Sequence, residues 1–441
     1  MAYNFKPFDR DQPFLLPQSL RDWLPEDHLA WFVVDAVAAL DLEPFLRSYR
    51  DDGWGRAAYH PQAMLSLLVY GYCVGERSSR RIERLAQTDG GFRVVSANQM
   101  PDHSSIARFR KKHETALIDL FVEVLGLCGK AGMLKVGTVA IDGTKIKANA
   151  ALEANRTGSW LRGKVSEMVR EAEIVDLAEN ARYGQRRGDE LPKGMRSSEA
   201  RQARFRELIQ EVEQRPAPKA RGRQAKQAKA EPGAEDKAEP EPKPEPKVNL
   251  TDPDSRILKG RHGFVQGYNA QAMVTENHFV LAAHVAKAAN DVRQLHPMIS
   301  LAKRNLRFIG SGDAIQTALA DAGYWSKLNA RWEERCGIRL LIATRKIYRL
   351  RQLAKLNPPR GRKPKGLSLK AQMERRLLTQ EGQALYKLRG QTVEPFFGTT
   401  KDARRCDRFQ RRGYYAAQSE WHLICATHNL LRLWRLTRKA A

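Results

Sequence analysis

The chain has 441 residues, enough for one large domain or two to three ordinary ones with cores of their own. Lysine and arginine number 76 against 50 acidic residues, and the resulting +26 makes a polyanion the natural partner, with basicity for solubility alone as the plainer reading. Five scattered cysteines without a Cys-x-x-Cys pair exclude a zinc module and a disulfide framework, and no apolar run is long enough to span a bilayer, so a reducing cytoplasm is expected and a membrane is not.

Residues 1–130 read as helical, with apolar positions at helical spacing in Leu29 to Leu46, Met64 to Val74 and Leu117 to Leu127. Between them lie two short basic helices, Ser78 to Gln87 and His103 to His113, each predicted to open on a serine cap. Arg80, Arg81, Arg108, Arg110 and Lys111 give these helices a cationic face that suits a DNA contact, or else the solvated side of a helical bundle.

At Val136 the texture changes. VGTVAID is a small and β-branched run without polar alternation, as in a strand covered on both faces, and it is expected to end on Asp142. Residues 151–214 read as a charged helical insertion, and the Pro, Ala, Lys and Glu tract at 215–247 as a disordered linker. A hairpin follows, Phe264 to Thr275 and Phe279 to Ala286 joined by ENH, and then a helix over Leu295 to Lys303. The strand TALA runs into Asp321, a helix opens at Ser326, Gly337 to Thr344 forms a further strand, and helices run from the basic loop Pro358 to Lys365 to the end. The order predicts a mixed α/β sheet, with an aspartate following the first and the fourth of its strands.

Carboxylates at the ends of neighbouring strands converge on one sheet edge, and an all-oxygen donor set suits Mg²⁺ or Mn²⁺. Two such ions can activate an attacking oxygen and stabilise the leaving oxygen of a phosphodiester. Asp252, Asp254, Asp291, Asp313 and Glu420 are rival carboxylates; of these Asp291, in the loop after the hairpin, is the strongest substitute. Trp325 beside Asp321 reads either as packing under its loop or as a stacking surface for an unpaired base. RFQRRGYY, Arg408 to Tyr415, reads as a phosphate-tracking segment.

AIDGTKIKANA, ADAGYWS, YKLRGQTVEPFFGTTK and RFQRRG resemble bacterial insertion-sequence transposases of the DDE type. TDPDSR, GYNAQ, NDVRQL and EWHLICATHNLLRL fit the same pattern, so the resemblance covers nearly all of the chain outside the insertion. It implies a ribonuclease H-like catalytic core with a mixed five-stranded sheet over 131–150 and 248–441, preceded by an all-α DNA-binding domain over 1–130. Carried over position by position, the catalytic and metal-holding carboxylates are Asp142, Asp321 and Glu394, with Tyr386, Arg389 and Lys401 as DNA-contacting neighbours. On one continuing helix, Tyr386, Arg389, Glu394 and Lys401 share a face, although the Arg389 to Glu394 gap is one residue longer than in the best-known signature. The implied activity is cleavage of double-stranded DNA at the element's terminal inverted repeats, using two Mg²⁺ or Mn²⁺ ions, and strand transfer into target DNA by a dimer or higher assembly. A DNA-binding repressor without chemistry and a nuclease without strand transfer are the other readings.

Overall fold

The computed structural model describes residues 19–49, 57–163, 198–215, 245–260, 263–344, 352, 354, 356–362 and 364–440. The chain divides into two compact units. The first comprises Met1–Ile146, Asn269–Gln410 and Tyr415–Ala441, and the second Lys147–Tyr268 with Arg411–Tyr414.

Among the described residues, the elements before residue 131 are helical: α1 (Leu29–Ala38), α2 (Glu43–Leu46), α3 (Pro61–Cys73), α4 (Ser79–Thr88), α5 (Gly90–Val95), α6 (His103–Lys112) and α7 (Glu114–Lys130). Their starts are chemically marked. Pro61 at the first position of α3 has no amide hydrogen to leave unsatisfied, and the His60 ring accepts from Gln62 N. The cap of α6 is Asp102 rather than a serine: its carboxylate accepts from the amides of Ser104 and Ser105 and from both hydroxyls. These donors, chiefly the hydroxyls, hold its pKa well below the usual carboxylate range. Ser78 precedes α4 but makes no side-chain capping bond.

The strands are β1 (Thr138–Lys147), β2 (Asn155–Thr157), β3 (Lys247–Asn249), β4 (Arg256–Gly260), β5 (Gly263–Thr275), β6 (Val280–Ala286), β7 (Thr317–Ala320) and β8 (Arg339–Ile342). The later helices are α8 (Ser198–Glu213), α9 (Leu295–Phe308), α10 (Lys327–Cys336), α11 (Leu369–Leu378), α12 (Gln380–Gly398) and α13 (Tyr414–Ala440). The fold is mixed α/β. In the first unit the strand order is β6-β5-β1-β7-β8, with β1, β7 and β8 parallel and the β5–β6 hairpin antiparallel. Val139 and Ile141 of β1, Ala318 and Ala320 of β7, and Leu340 and Ile342 of β8 share one buried core with Leu295, Met298, Ile299 and Ala302 of α9. Leu125 and Cys128 of α7 belong to the same core.

The sheet has six strands where five were expected, since β4 and β6 both pair with β5, and three further features differ from the sequence expectation. Strand β1 does not stop at Asp142 but runs on to Lys147, because Thr144 and Ile146 are β-branched and Ile146 is fully buried. The strands β2, β3 and β4 were not foreseen; at three, three and five residues they are too short to show a period. Beyond α12 the backbone passes into a π-helical turn, Thr399–Ala403, instead of continuing as a regular α-helix, with Pro395 inside α12 removing one amide donor.

In the second unit β4 pairs antiparallel with the first part of β5, from Arg256 with Gly267 to Gly260 with Gly263. Here β2 pairs with β3, and Leu161, Leu208, Val212 and Val248 form a small core under α8. Asp252 is fully buried and accepts from Tyr268 Oη at 2.8 Å and from Gly413 N, and Asp254 accepts from Tyr414 N, so TDPDSR is a structural turn. Most of the tract expected to be a linker, 216–244, and part of the charged insertion, 164–197, lie outside the described residues.

Candidate active site

Two carboxylates are set by strand pairing alone. In the parallel β1–β7 register Ile141 lies opposite Ala320, so the next residue on each strand is an aspartate, Asp142 and Asp321. Adjacent strands run about 4.8 Å apart, which brings the two side chains to one edge of the sheet. Asp321 directly follows β7 and caps the turn Ala322–Tyr324, its Oδ1 accepting from Gly323 N at 2.9 Å. Asp142 Oδ1 accepts from Gly143 N at 2.8 Å, and its Oδ2 accepts from Arg389 Nη2 at 2.7 Å.

Arg389 comes from α12, which also carries Tyr386 and Glu394. Tyr386 Oη donates to the carbonyl of Ala320 at 3.1 Å, tying the helix to the strand end just before Asp321. Burial opposes the charge of Arg389, yet Asp142, Asp321 and Glu394 together hold it above its ordinary value. The guanidinium thus pairs directly with Asp142 and feels the charge of the other two carboxylates. Its Nε is buried without a hydrogen-bond partner. Glu394 is exposed, five residues beyond Arg389 and therefore about 140° further round the helix. Lys401 lies in the π-helical turn and donates to the carbonyl of Lys145 at 3.0 Å.

Burial raises the Asp142 carboxyl to about 6, Arg389 works against the rise, and the charges of Asp321 and Asp291 add to it. Asp291 lies in the loop after β6. Its Oδ1 accepts from Asn269 Nδ2 at 2.7 Å and Gln271 Nε2 at 2.8 Å, and Lys145 Nζ stands 3.9 Å away. Gln271 is in turn held by Tyr324, whose hydroxyl donates to its Oε1. Sequence reasoning weighed Asp291 but missed Asn269 and Gln271; GYNAQ places both on the same face of β5, two residues apart, a legible signal.

Among the described residues no three His, Cys, Asp or Glu side chains converge tightly enough to hold a metal ion. The donor set nevertheless fits one in kind: it is all carboxylate oxygen, one member is bonded to a cation, and burial and like-charged neighbours push that aspartate's carboxyl up.

The outlying basic residues separate into two groups. Arg80, Arg81, Arg108 and Lys111 are exposed on α4 and α6, with Arg81 paired to Glu76. Arg110 is not on that surface: it is 4% exposed, donates to Ser79 Oγ and lies over the Tyr72 ring. The stripe Ile106, Phe109, Arg110 and His113 is buried at helical spacing, so Arg110 takes a core-facing position of α6. Trp325 is partly buried against the main core and lines a cavity of about 550 Å³ together with Asn290, Asp291, Gly323 and Lys370. None of the described helices is long and apolar enough to cross a membrane.

Residues 18–112 match the family model described as a transposase domain, DUF772, and residues 244–430 match the model described as a transposase DDE domain. Asp321, Arg389 and Glu394 fall inside the second match, while Asp142 falls between the two. No curated protein and no solved structure matches the chain.

Proposed function

We propose, on the premise that the chain belongs to the DDE-type transposases of insertion sequences, that it cuts DNA at the ends of its element and joins the freed 3′ ends to a target. The observation that carries this reading is the β1–β7 register, which sets Asp142 and Asp321 side by side with the Arg389 cation against them. Asp142, Asp321 and Glu394 are the residues that would hold divalent ions. Bound Mg²⁺ or Mn²⁺ would supply an activated water and offset charge on the leaving oxygen.

The chain's own groups account for the rest. Arg389 is able to exchange its bond to Asp142 for a DNA phosphate, since its five-donor guanidinium already has one nitrogen without a partner. Tyr386 holds the Ala320 carbonyl and so fixes where Asp321 projects. Lys401 lies beside β1 through the Lys145 carbonyl and adds positive charge near the same edge. The exposed arginines and lysine of α4 and α6 form the surface that receives the terminal repeats, and Trp325 borders the cavity beside Asp321. Pairing of two ends calls for two copies of the chain.

The test is a cleavage and strand-transfer assay on DNA carrying the element's ends, with Mg²⁺ or Mn²⁺. Asp142→Asn is expected to lower cleavage more than about a hundredfold while leaving DNA affinity in place. Cleavage by the variant at the parent rate overturns the assignment, and cleavage without joining by the parent chain makes it a nuclease.

A further inference from the structure

Two glycines follow the two aspartates at short range, Gly143 after Asp142 within β1 and Gly323 two residues after Asp321. Both are needed for the same reason, and it is not their backbone angles. A Cβ on Gly143 would stand 2.6 Å from Asp291 Oδ1 and collide with Gln271 Nε2. A Cβ on Gly323 would stand 3.2 Å from Asp291 Oδ2 and 3.0 Å from Asp321 Oδ1. The Asp291 carboxylate is therefore wedged between the segments that carry Asp142 and Asp321, with one oxygen toward each.

Its two oxygens are treated differently. Oδ1 takes the amide hydrogens of Asn269 and Gln271, and Lys145 approaches the same atom. Gln271 is itself fixed by Tyr324, so this anchor is rigid. One point beside Gly323, where a Cβ would sit, lies 3.2 Å from Asp291 Oδ2 and 3.0 Å from Asp321 Oδ1, and Asp291 borders the cavity shared with Trp325 and Lys370. Two carboxylates brought to one place repel unless a cation stands with them.

We propose that Asp291 is a fourth carboxylate of the active site, anchored through Oδ1 and offering Oδ2 to the divalent cation that Asp321 also holds. This rests on the transposase reading of the site. Asn269 and Gln271 are then positioning residues: they orient the carboxylate rather than touch the ion, and removing such a partner commonly weakens a metal site tenfold to a hundredfold, roughly.

The isosteric change Asp291→Asn separates anchoring from ligation. An asparagine oxygen in the Oδ1 position keeps both amide donors, while its NH₂ replaces Oδ2 and has no lone pair to offer a cation. Mn²⁺ alone is the probe, titrated into the full chain without DNA and followed by the paramagnetic signal of free Mn²⁺ and by the thermal midpoint. The expected result is unchanged or higher stability without metal, Mn²⁺ affinity lowered about tenfold or more, and a smaller rise in midpoint on adding Mn²⁺. Asp291→Ser, which loses both oxygens, is expected to bind Mn²⁺ as weakly. Parent-like affinity in either folded variant overturns the proposal, as does loss of the fold in both without metal, which would make Asp291 a structural group. Asp142→Asn and Asp321→Asn run alongside. If they too leave Mn²⁺ binding untouched, the transposase site itself is wrong, whereas an effect in them and none in Asp291→Asn removes the fourth carboxylate alone.

Discussion

Two arginine–carboxylate pairs in the first unit have the same 2.7 Å separation and opposite surroundings. Arg77 and Glu420 are 5% and 0% exposed, and neither has a buried polar atom left without a partner: Arg77 also donates to the carbonyls of Arg405 and Arg408, and Glu420 accepts from Gln410 N. Arg404, next to this pair, spends its guanidinium on the carbonyls of Tyr72 and Ile424. Arg389 and Asp142 are each more exposed, the Arg389 Nε has no partner, and Asp142 is pushed toward its protonated form. The first pair is saturated and fastens α13 to the helices before residue 131. The second is incomplete and can exchange partners. Distance alone does not distinguish a fastening from a site; the state of the remaining donors and acceptors does.

The largest expected effect comes from breaking the saturated pair. Glu420→Ala strands the Arg77 charge in the interior and is expected to cost about 3–5 kcal/mol in denaturant unfolding. A cost below about 1 kcal/mol would erase the contrast.

Asp142→Asn is expected to act in the other direction in the metal-free chain. Because the folded state raises this carboxyl from 3.8 to about 6, its contribution to stability is greatest below pH 3.8 and declines as pH climbs through 6. The variant lacks that decline, so it exceeds the parent by up to about 3 kcal/mol at pH 7 and matches it near pH 4. Equal unfolding midpoints at pH 7 would show that the carboxylate carries no strain.

The α13 side of the molecule has the reverse pH dependence. Burial lowers His422 to about 4 and His428 to about 3, so both are neutral in the fold and stability drains as pH falls below the ordinary 6.5. Each is expected to contribute about 1.4 kcal/mol per pH unit in that range, read from melting curves of His422→Gln against the parent. The smallest effect is that of Tyr386→Phe, which removes one hydrogen bond to Ala320 and is expected to cost about 1 kcal/mol. It is also expected to slow cleavage, since Asp321 follows directly; unchanged cleavage would detach Tyr386 from the site.

Much of this was legible in the residues, for identifiable reasons. VGTVAID and TALA are short apolar runs with nothing to gain from solvent, so they read as interior strands, and their register brings Asp142 and Asp321 level although β1 runs on past its aspartate. Arg110 was misjudged because composition drew the eye to a run of cations, although its spacing from Ile106 put it on the packed side of α6. The π-helical turn could not be read at all: Gly398, Thr399 and Thr400 carry no period, and only tertiary packing decides how such a stretch winds. Asp291 was visible as a loop residue, but its central place depends on two glycines whose missing side chains mean nothing until the strands are assembled.

The parallel pairing of β1 with β7 also limits how such a molecule can change. Alternate residues of each strand are locked in the core, so β7 can slide along β1 only by whole two-residue steps, roughly 7 Å each. No gradual drift of Asp142 against Asp321 is open to mutation. Fine adjustment of reach has to come from the helical side, where adding a single residue or unwinding half a turn rotates Glu394 and Lys401 without disturbing the sheet. The two strands act as a fixed gauge, and α12 with its loosened end is the vernier.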